Sequence, residues 1–289
     1  CYCILCTIFL ICAEVSMTDN LTSGKPLKSL LLFTLPIIGG NIFQLFYTLA
    51  DTLIVGQTIG ENALAAVGST SVFIYFILIF IQGMTNGFSI VLAQLAGEKD
   101  EEGMRKSIAS SIAISLAFTI IVTAITLIFT PQIVRIMKTP EEISHDAAVY
   151  LAVIMAGKGA TVLYNLASNI LRALGDSRIP LITLVFSSIL NVILDIVFIV
   201  PLKMGVGGAA FATVLSQLLS GILCFVFGAM KYSTMRLSKS CFIFDRTIAS
   251  RNLRLGMIMG FQMSIMCIGQ LVMQASVNNL GTVAIAGYT

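Results

Sequence analysis

Seven long apolar stretches, separated by short polar links, organise this chain. They run over residues 27–54, 62–96, 107–130, 147–173, 180–200, 206–230 and 253–280. Each exceeds the roughly 20 residues that a helix needs to cross a bilayer. Inside lipid a helix satisfies its own backbone donors and acceptors, which an irregular segment cannot do. The intervening links, 56–61, 97–106, 130–146, 172–178, 201–205 and 231–252, hold most of the charge. This pattern predicts an all-α polytopic membrane protein with seven crossings. Pro36 is the proline lying deep within a span, and it predicts a kink in the first helix, as a hinge or as a static bend.

Composition sharpens that picture. The 289 residues are 57% hydrophobic and 11% charged, with a mean hydropathy of +0.97, whereas soluble domains carry roughly 25% charged residues. A net charge of +3 is too small to point to nucleic acid. Four of the seven cysteines (Cys1, Cys3, Cys6 and Cys12) crowd the first twelve residues, and Cys224, Cys241 and Cys267 are scattered in or near apolar runs. These read as small hydrophobes rather than disulfides or zinc ligands.

Basic residues set the expected orientation. With the N-terminus inside, Lys25, Lys28, Lys99, Arg105, Lys106, Arg172, Arg178, Lys231, Arg236, Lys239, Arg246, Arg251 and Arg254 are cytoplasmic, and Arg135, Lys138 and Lys203 are external. Thirteen against three follows the positive-inside rule and predicts a multi-pass protein of the cytoplasmic membrane. The seventeenth basic residue, Lys158, falls within the fourth span, either paired with a carboxylate or snorkelling. The single His145 falls in the external 130–146 link and reads as part of a solvated loop.

Two aspartates, Asp51 and Asp195, each stand alone inside an apolar run. A carboxylate at such a position costs about 2.5–3.5 kcal/mol on insertion scales, so it usually has a partner or a task. Asp51 is 23 residues beyond Lys28, about 34 Å of helix. Asp195 is 15 residues beyond Pro180, about 22 Å. Thr213 enters from outside and reaches a similar outer depth, and Asn191 shares a helix face with Asp195. Hard cations take oxygen ligands, and a desolvated carboxylate also suits proton exchange. Asp51, Asn191, Asp195 and Thr213 are therefore the expected cation site, holding Na⁺ by these oxygens or H⁺ on a carboxylate. The competing reading is that each aspartate only joins helices through hydrogen bonds.

Other in-span amides are Asn41, Gln44, Gln82, Asn86, Asn165, Asn169, Gln217, Gln262, Gln270 and Gln274. Singly each serves as interhelical glue. Together they predict a polar cavity, with Gln44, Tyr47, Asn165 and Asn169 as candidate substrate contacts. Phe43 and Phe46 read as further wall or as packing.

The chain also carries a faint internal echo. Ile59-Gly60-Glu61-Asn62-Ala63-Leu64-Ala65-Ala66 resembles Leu280-Gly281-Thr282-Val283-Ala284-Ile285-Ala286-Gly287, about 221 residues on. An even number of spans intervenes, which predicts a parallel repeat. The expected organisation is a leader over 1–16 outside the working protein, a six-helix lobe with its cytoplasmic link over 17–240, and a truncated second lobe beginning at 241–289. Met17-Thr18-Asp19-Asn20 reads as the more natural start.

Three motifs in order resemble the multidrug and toxic compound extrusion (MATE) transporters. They are Leu49-Ala50-Asp51-Thr52-Leu53-Ile54-Val55-Gly56 with the following Gly60-to-Gly68 segment, Leu171-Arg172-Ala173-Leu174-Gly175-Asp176-Ser177-Arg178-Ile179-Pro180, and Asn191-Val192-Ile193-Leu194-Asp195 with Gly205-to-Thr213. The resemblance covers about residues 21–289. It implies twelve helices in two lobes, no cofactor beyond the coupling Na⁺ or H⁺, and a cation site at Asp51, Asn191, Asp195 and Thr213. It implies export of organic cations and amphipathic drugs by antiport, from a full-length monomer in the bilayer. The seventh helix departs from the pattern, with Met257-Ile258 where a Leu-Pro pair is usual. A flippase for lipid-linked precursors is the alternative, and it would need a wide basic cavity. No Ser/His, zinc or nucleotide-binding constellation points to an enzyme.

Overall fold

The computed structural model describes residues 26–58, 61–137, 139–236 and 245–278. Eight α-helices follow in order: α1 (Pro26–Thr58), α2 (Glu61–Gly97), α3 (Glu101–Ile136), α4 (Glu141–Ala156), α5 (Lys158–Ala173), α6 (Arg178–Ile199), α7 (Gly205–Lys231) and α8 (Arg246–Asn278), with a 3-10 turn at Ser233–Met235. No strand occurs among the described residues. The leader over 1–16, the Leu280–Gly287 echo and the Gln274 side chain lie outside what is described.

Among the described residues all seven apolar stretches form helices. Of these, α2, α3, α6 and α7 are long and apolar enough to cross a membrane, and α4 with α5, bent by 43°, passes the same test as a pair. The sequence predicted seven. In α1 the described apolar segment is Phe33–Phe46, and in α8 Arg246, Arg251, Asn252 and Arg254 dilute the hydropathy of the first turns. Exposed apolar side chains such as Ile120, Ile121 and Ile128 on α3 are more than half accessible. A girdle of that kind is stable where lipid replaces water.

Three expectations are corrected. The fourth stretch is two helices, broken at Gly157. A Cβ there would lie 2.1 Å from the Val214 side chain, so only glycine lets the bend press against α7, and Thr123 of α3 donates to the Met155 carbonyl at 3.1 Å beside it. His145 is not in a loop. α4 begins at Glu141, earlier than hydropathy shows, and carries His145 exposed on its surface. Pro36 is not alone inside a helix, because α3 extends past Pro131, and α1 continues through Pro36.

Turn chemistry explains the tight α5–α6 connection. Gly175 has φ +86°, a left-handed conformation that glycine adopts without penalty. The Gly175 and Asp176 N–H groups return to the Arg172 and Leu171 carbonyls, closing α5. The Asp176 carboxylate accepts from the Arg178 and Ile179 N–H groups at 3.0 and 3.2 Å, opening α6. The same carboxylate accepts from Lys231 Nζ at 2.7 Å and from the Tyr232 hydroxyl at 3.3 Å, tying the turn to the end of α7.

Among the described residues three apolar clusters pack the helices, the smallest around Ile199, Val206 and Ala209. One joins α2, α3, α5 and α7 around Phe88, Leu92, Ile108 and Leu171. Another, toward the opposite end, joins α2, α3, α4 and α7 around Ala147, Leu151, Met155 and Ala210. α8 lies along α2, where Gly83 and Gly87 face Gly256 and Gly260: a Cβ on Gly83 would come within 2.5 Å of the Met259 carbonyl, and one on Gly256 within 2.5 Å of the Phe88 ring. Paired small residues four apart are how membrane helices approach closely.

Candidate functional site

The site grows from the antiparallel pair α6 and α7. Thr183, Ser187, Asn191 and Asp195 recur every fourth residue and are all buried. Four-residue spacing puts them on one stripe of α6. That stripe meets a polar stripe of α7. Ser220 donates to the Thr183 carbonyl at 2.8 Å, and Ser187 donates to the Ser216 carbonyl at 3.0 Å. One turn further, Asn191 meets Thr213. With its amide nitrogen turned toward Asp195, Asn191 donates to Asp195 Oδ2 at 3.0 Å and accepts from the Thr213 N–H at 3.3 Å. Asn191 and Asp195 have no accessible surface. Asp195 thus faces the interior of the lobe, away from lipid.

Three of the four expected cation ligands, Asn191, Asp195 and Thr213, are therefore neighbours. The fourth, Asp51, sits on α1, but its side chain lies outside the described residues, as does that of Tyr47. α1 packs on α6 through Gly39 and Gly40, which lie against Leu181 and Leu184.

A polar cavity of about 240 Å³ opens between α1, α2, α5, α6 and α7. Asn41 and Gln44 reach it from α1, Gln82 and Asn86 from α2, Asn165 and Asn169 from α5, and Gln217 from α7. Seven of the ten in-span amides thus converge. Gln262 lies instead at a separate apolar surface on α8, and Gln270 is exposed. Internal hydrogen bonds hold the lining: Asn169 donates to Thr85 Oγ1 at 2.9 Å, Thr161 donates to Gln217 Oε1, and Asn165 donates to the Thr161 carbonyl at 2.9 Å. Ser187 lines the cavity, and Asp195 is eight residues further along α6, about 12 Å. Cavity and carboxylate occupy successive levels of one polar seam.

Hydropathy does not mark out Arg172 and Asn252, whereas Lys158 lies within its span as expected. Arg172, taken as a loop cation, lines the cavity, with its Nε buried and without a hydrogen-bond partner among the described residues. Its place on the same helical face as Asn165 and Asn169 was the available signal. Lys158 is 3% exposed at the start of α5, and no ion pair among the described residues includes it. Asn252, placed at the edge of a polar link, is wholly buried and donates to Ser107, Ser110 and Ser111 of α3. Cys224 and Cys267 are buried free thiols.

Several apolar helices, a buried intramembrane carboxylate and an amide-lined cavity define a multi-pass membrane protein of transporter type. The MatE family model matches residues 36–197, more than half of the chain, and the chain belongs to that family. It is 32% identical to a Bacillus subtilis relative named probable multidrug resistance protein YpnP, over 93% of this chain and 60% of the relative. It is 29% identical to probable multidrug resistance protein NorM of Thermotoga maritima, over 69% of this chain and 44% of that one. Among solved structures, a MATE protein in complex with MaD3S superposes with a TM-score of 0.83 at 28% identity, over 92% of this chain and 60% of that one. An outward-facing multidrug resistance MATE family transporter of the MOP superfamily superposes with a TM-score of 0.80 at 29% identity, over 89% and 57%. The chain spans about 60% of the length of the first of these relatives.

Proposed function

We propose that the full-length protein is an antiporter that exports amphipathic drugs by alternating access, driven by inward Na⁺ or H⁺ across the cytoplasmic membrane. The observation that carries this reading is Asp195, a carboxylate with no accessible surface, hydrogen-bonded to Asn191 within a multi-pass protein. Burial of a carboxylate inside a membrane span is costly, and binding of a cation or proton offsets that cost. A transporter moves its cargo only if occupancy of this site favours one conformational state over the other.

In the expected orientation, with the N-terminus inside, the amide-lined cavity opens toward the cytoplasmic half and Asp195 lies in the outer half. Asp51 would complete the oxygen set with Asn191 and Thr213. Family membership favours transport over catalysis. A flippase would need a wide basic cavity, and the described cavity is small and carries one basic residue, Arg172. Efflux of a fluorescent drug from cells producing the full-length protein tests the proposal. Asp195→Asn abolishes efflux at unchanged protein level if the reading holds, and unaltered efflux refutes it.

A further inference from the structure

The amide cavity has a polarity of its own. Its described lining contains neutral amides and hydroxyls, one cation in Arg172 and no carboxylate. The Arg172 Nε is buried and has no hydrogen-bond partner among the described residues. A buried donor left unmade carries a desolvation cost, and an acceptor arriving from a ligand removes it. Lys158 lies on the same side of α5 but about 21 Å from Arg172 and outside the cavity lining. Its separation from Asn165, Asn169 and Arg172 by seven, eleven and fourteen residues keeps all four on one helical face. Lys158 is almost fully buried, and no ion pair among the described residues neutralises it. Asp195 stands about 12 Å further along α6 from Ser187 at the cavity wall. No ion pair among the described residues joins Arg172 to a carboxylate.

We propose that this cavity receives the acidic end of an amphipathic cargo, a carboxylate or phosphate on an apolar body, with Arg172 as its direct partner. The inference rests on the transport reading above and names the cargo class that the cavity selects. The planar guanidinium presents its donors as a fork that matches such an anion. Asn165, Asn169 and Gln217 are already engaged with neighbouring groups, which holds the wall in place before the ligand enters. The acidic group is that of a soluble drug or of a lipid headgroup; both present the same oxygens.

Three matched fluorescent probes separate the possibilities: pyrenebutanoate, pyrenebutanamide and pyrenebutylammonium, titrated into the purified full-length protein in detergent. The carboxylate should bind about tenfold or more tighter than the amide, the range of a charge-assisted hydrogen bond. Arg172→Gln should bring the carboxylate down to the amide's affinity while amide binding stays unchanged. Arg172→Lys should keep a smaller preference of the same sign, because the charge remains and the fork is lost. Unchanged amide binding shows that the variant is folded, and the wild-type ranking needs no variant at all. If the ammonium or amide binds as tightly as the carboxylate, or if Arg172→Gln keeps the preference, this inference fails and the transport reading stands. If none of the probes binds and no drug is exported, both fail. Competition by phosphatidylglycerol but not phosphatidylcholine vesicles assigns the site to a lipid headgroup, and absence of competition assigns it to a soluble cargo.

Discussion

Gly87 of α2 and Gly256 of α8 meet backbone to backbone: a Cβ built on Gly87 would lie 2.6 Å from the Gly256 Cα. The contact joins the first lobe to the helix that follows it in the chain. Side chains of any size there would force the helices apart, and overpacking of this kind costs about 1–3 kcal/mol. Gly87→Ala should therefore lower the melting temperature in detergent. Gly68 on the same helix has nothing within 4 Å of a Cβ, so Gly68→Ala should be neutral or slightly stabilising through helix propensity. Equal melting of the two variants would show that the crossing is loose.

Asn252 pins α8 to α3. Its amide nitrogen donates to the Ser107 carbonyl at 3.0 Å and to the Ser110 hydroxyl at 2.9 Å, and its oxygen accepts from Ser107 at 3.3 Å. Asn252→Leu removes those bonds and leaves the buried Ser107 hydroxyl without its acceptor, at a cost of about 1–3 kcal/mol. Limited proteolysis of the 237–245 connection should become faster in the variant, because α8 leaves α3 more often. Wild-type cleavage rates would contradict the anchoring role.

Asp176 makes stability depend on pH at the α5–α6 turn. Burial raises its carboxyl, but the Lys231 ammonium and the Ile179 and Arg178 N–H groups outweigh that and hold it below the usual carboxylate range. Burial first, then the adjacent Asp176, push the Tyr232 phenol above its ordinary range, so it remains a donor. A depressed carboxyl stabilises the fold above its unfolded value, near pH 4, and the contribution disappears as pH falls through the folded value. Asp176→Asn should thus melt lower than wild type at pH 7, with the gap closing in strong acid. A gap independent of pH would rule out the ionised carboxylate as its source.

Much of this architecture is legible in the sequence, because apolar length decides which segments enter lipid. The seven stretches, the inward placement of Asp195 beside Asn191, and the gathering of Gln44, Asn165 and Asn169 follow from hydropathy and helical spacing. The break at Gly157 was not legible, since its cause is Val214 on another helix. Glycine pairs such as Gly83 with Gly87 carry no hydropathy signal, and their partners Gly256 and Gly260 stand far away in sequence. Arg172 and Asn252 were misread for a related reason. Each lies near a polar link, and hydropathy cannot tell a loop charge from one folded back onto a cavity or a neighbouring helix.

The central claim is that Asp195 binds the ion whose entry drives export. Proteoliposomes holding the full-length protein, supplied with a transported dye, allow ion release to be followed directly by a proton-sensitive or sodium-sensitive reporter. Dye addition should displace one of these ions from the wild type, and Asn at position 195 should bind the dye without releasing either. Undiminished ion release from Asp195→Asn, or dye transport that needs neither gradient, would contradict the account.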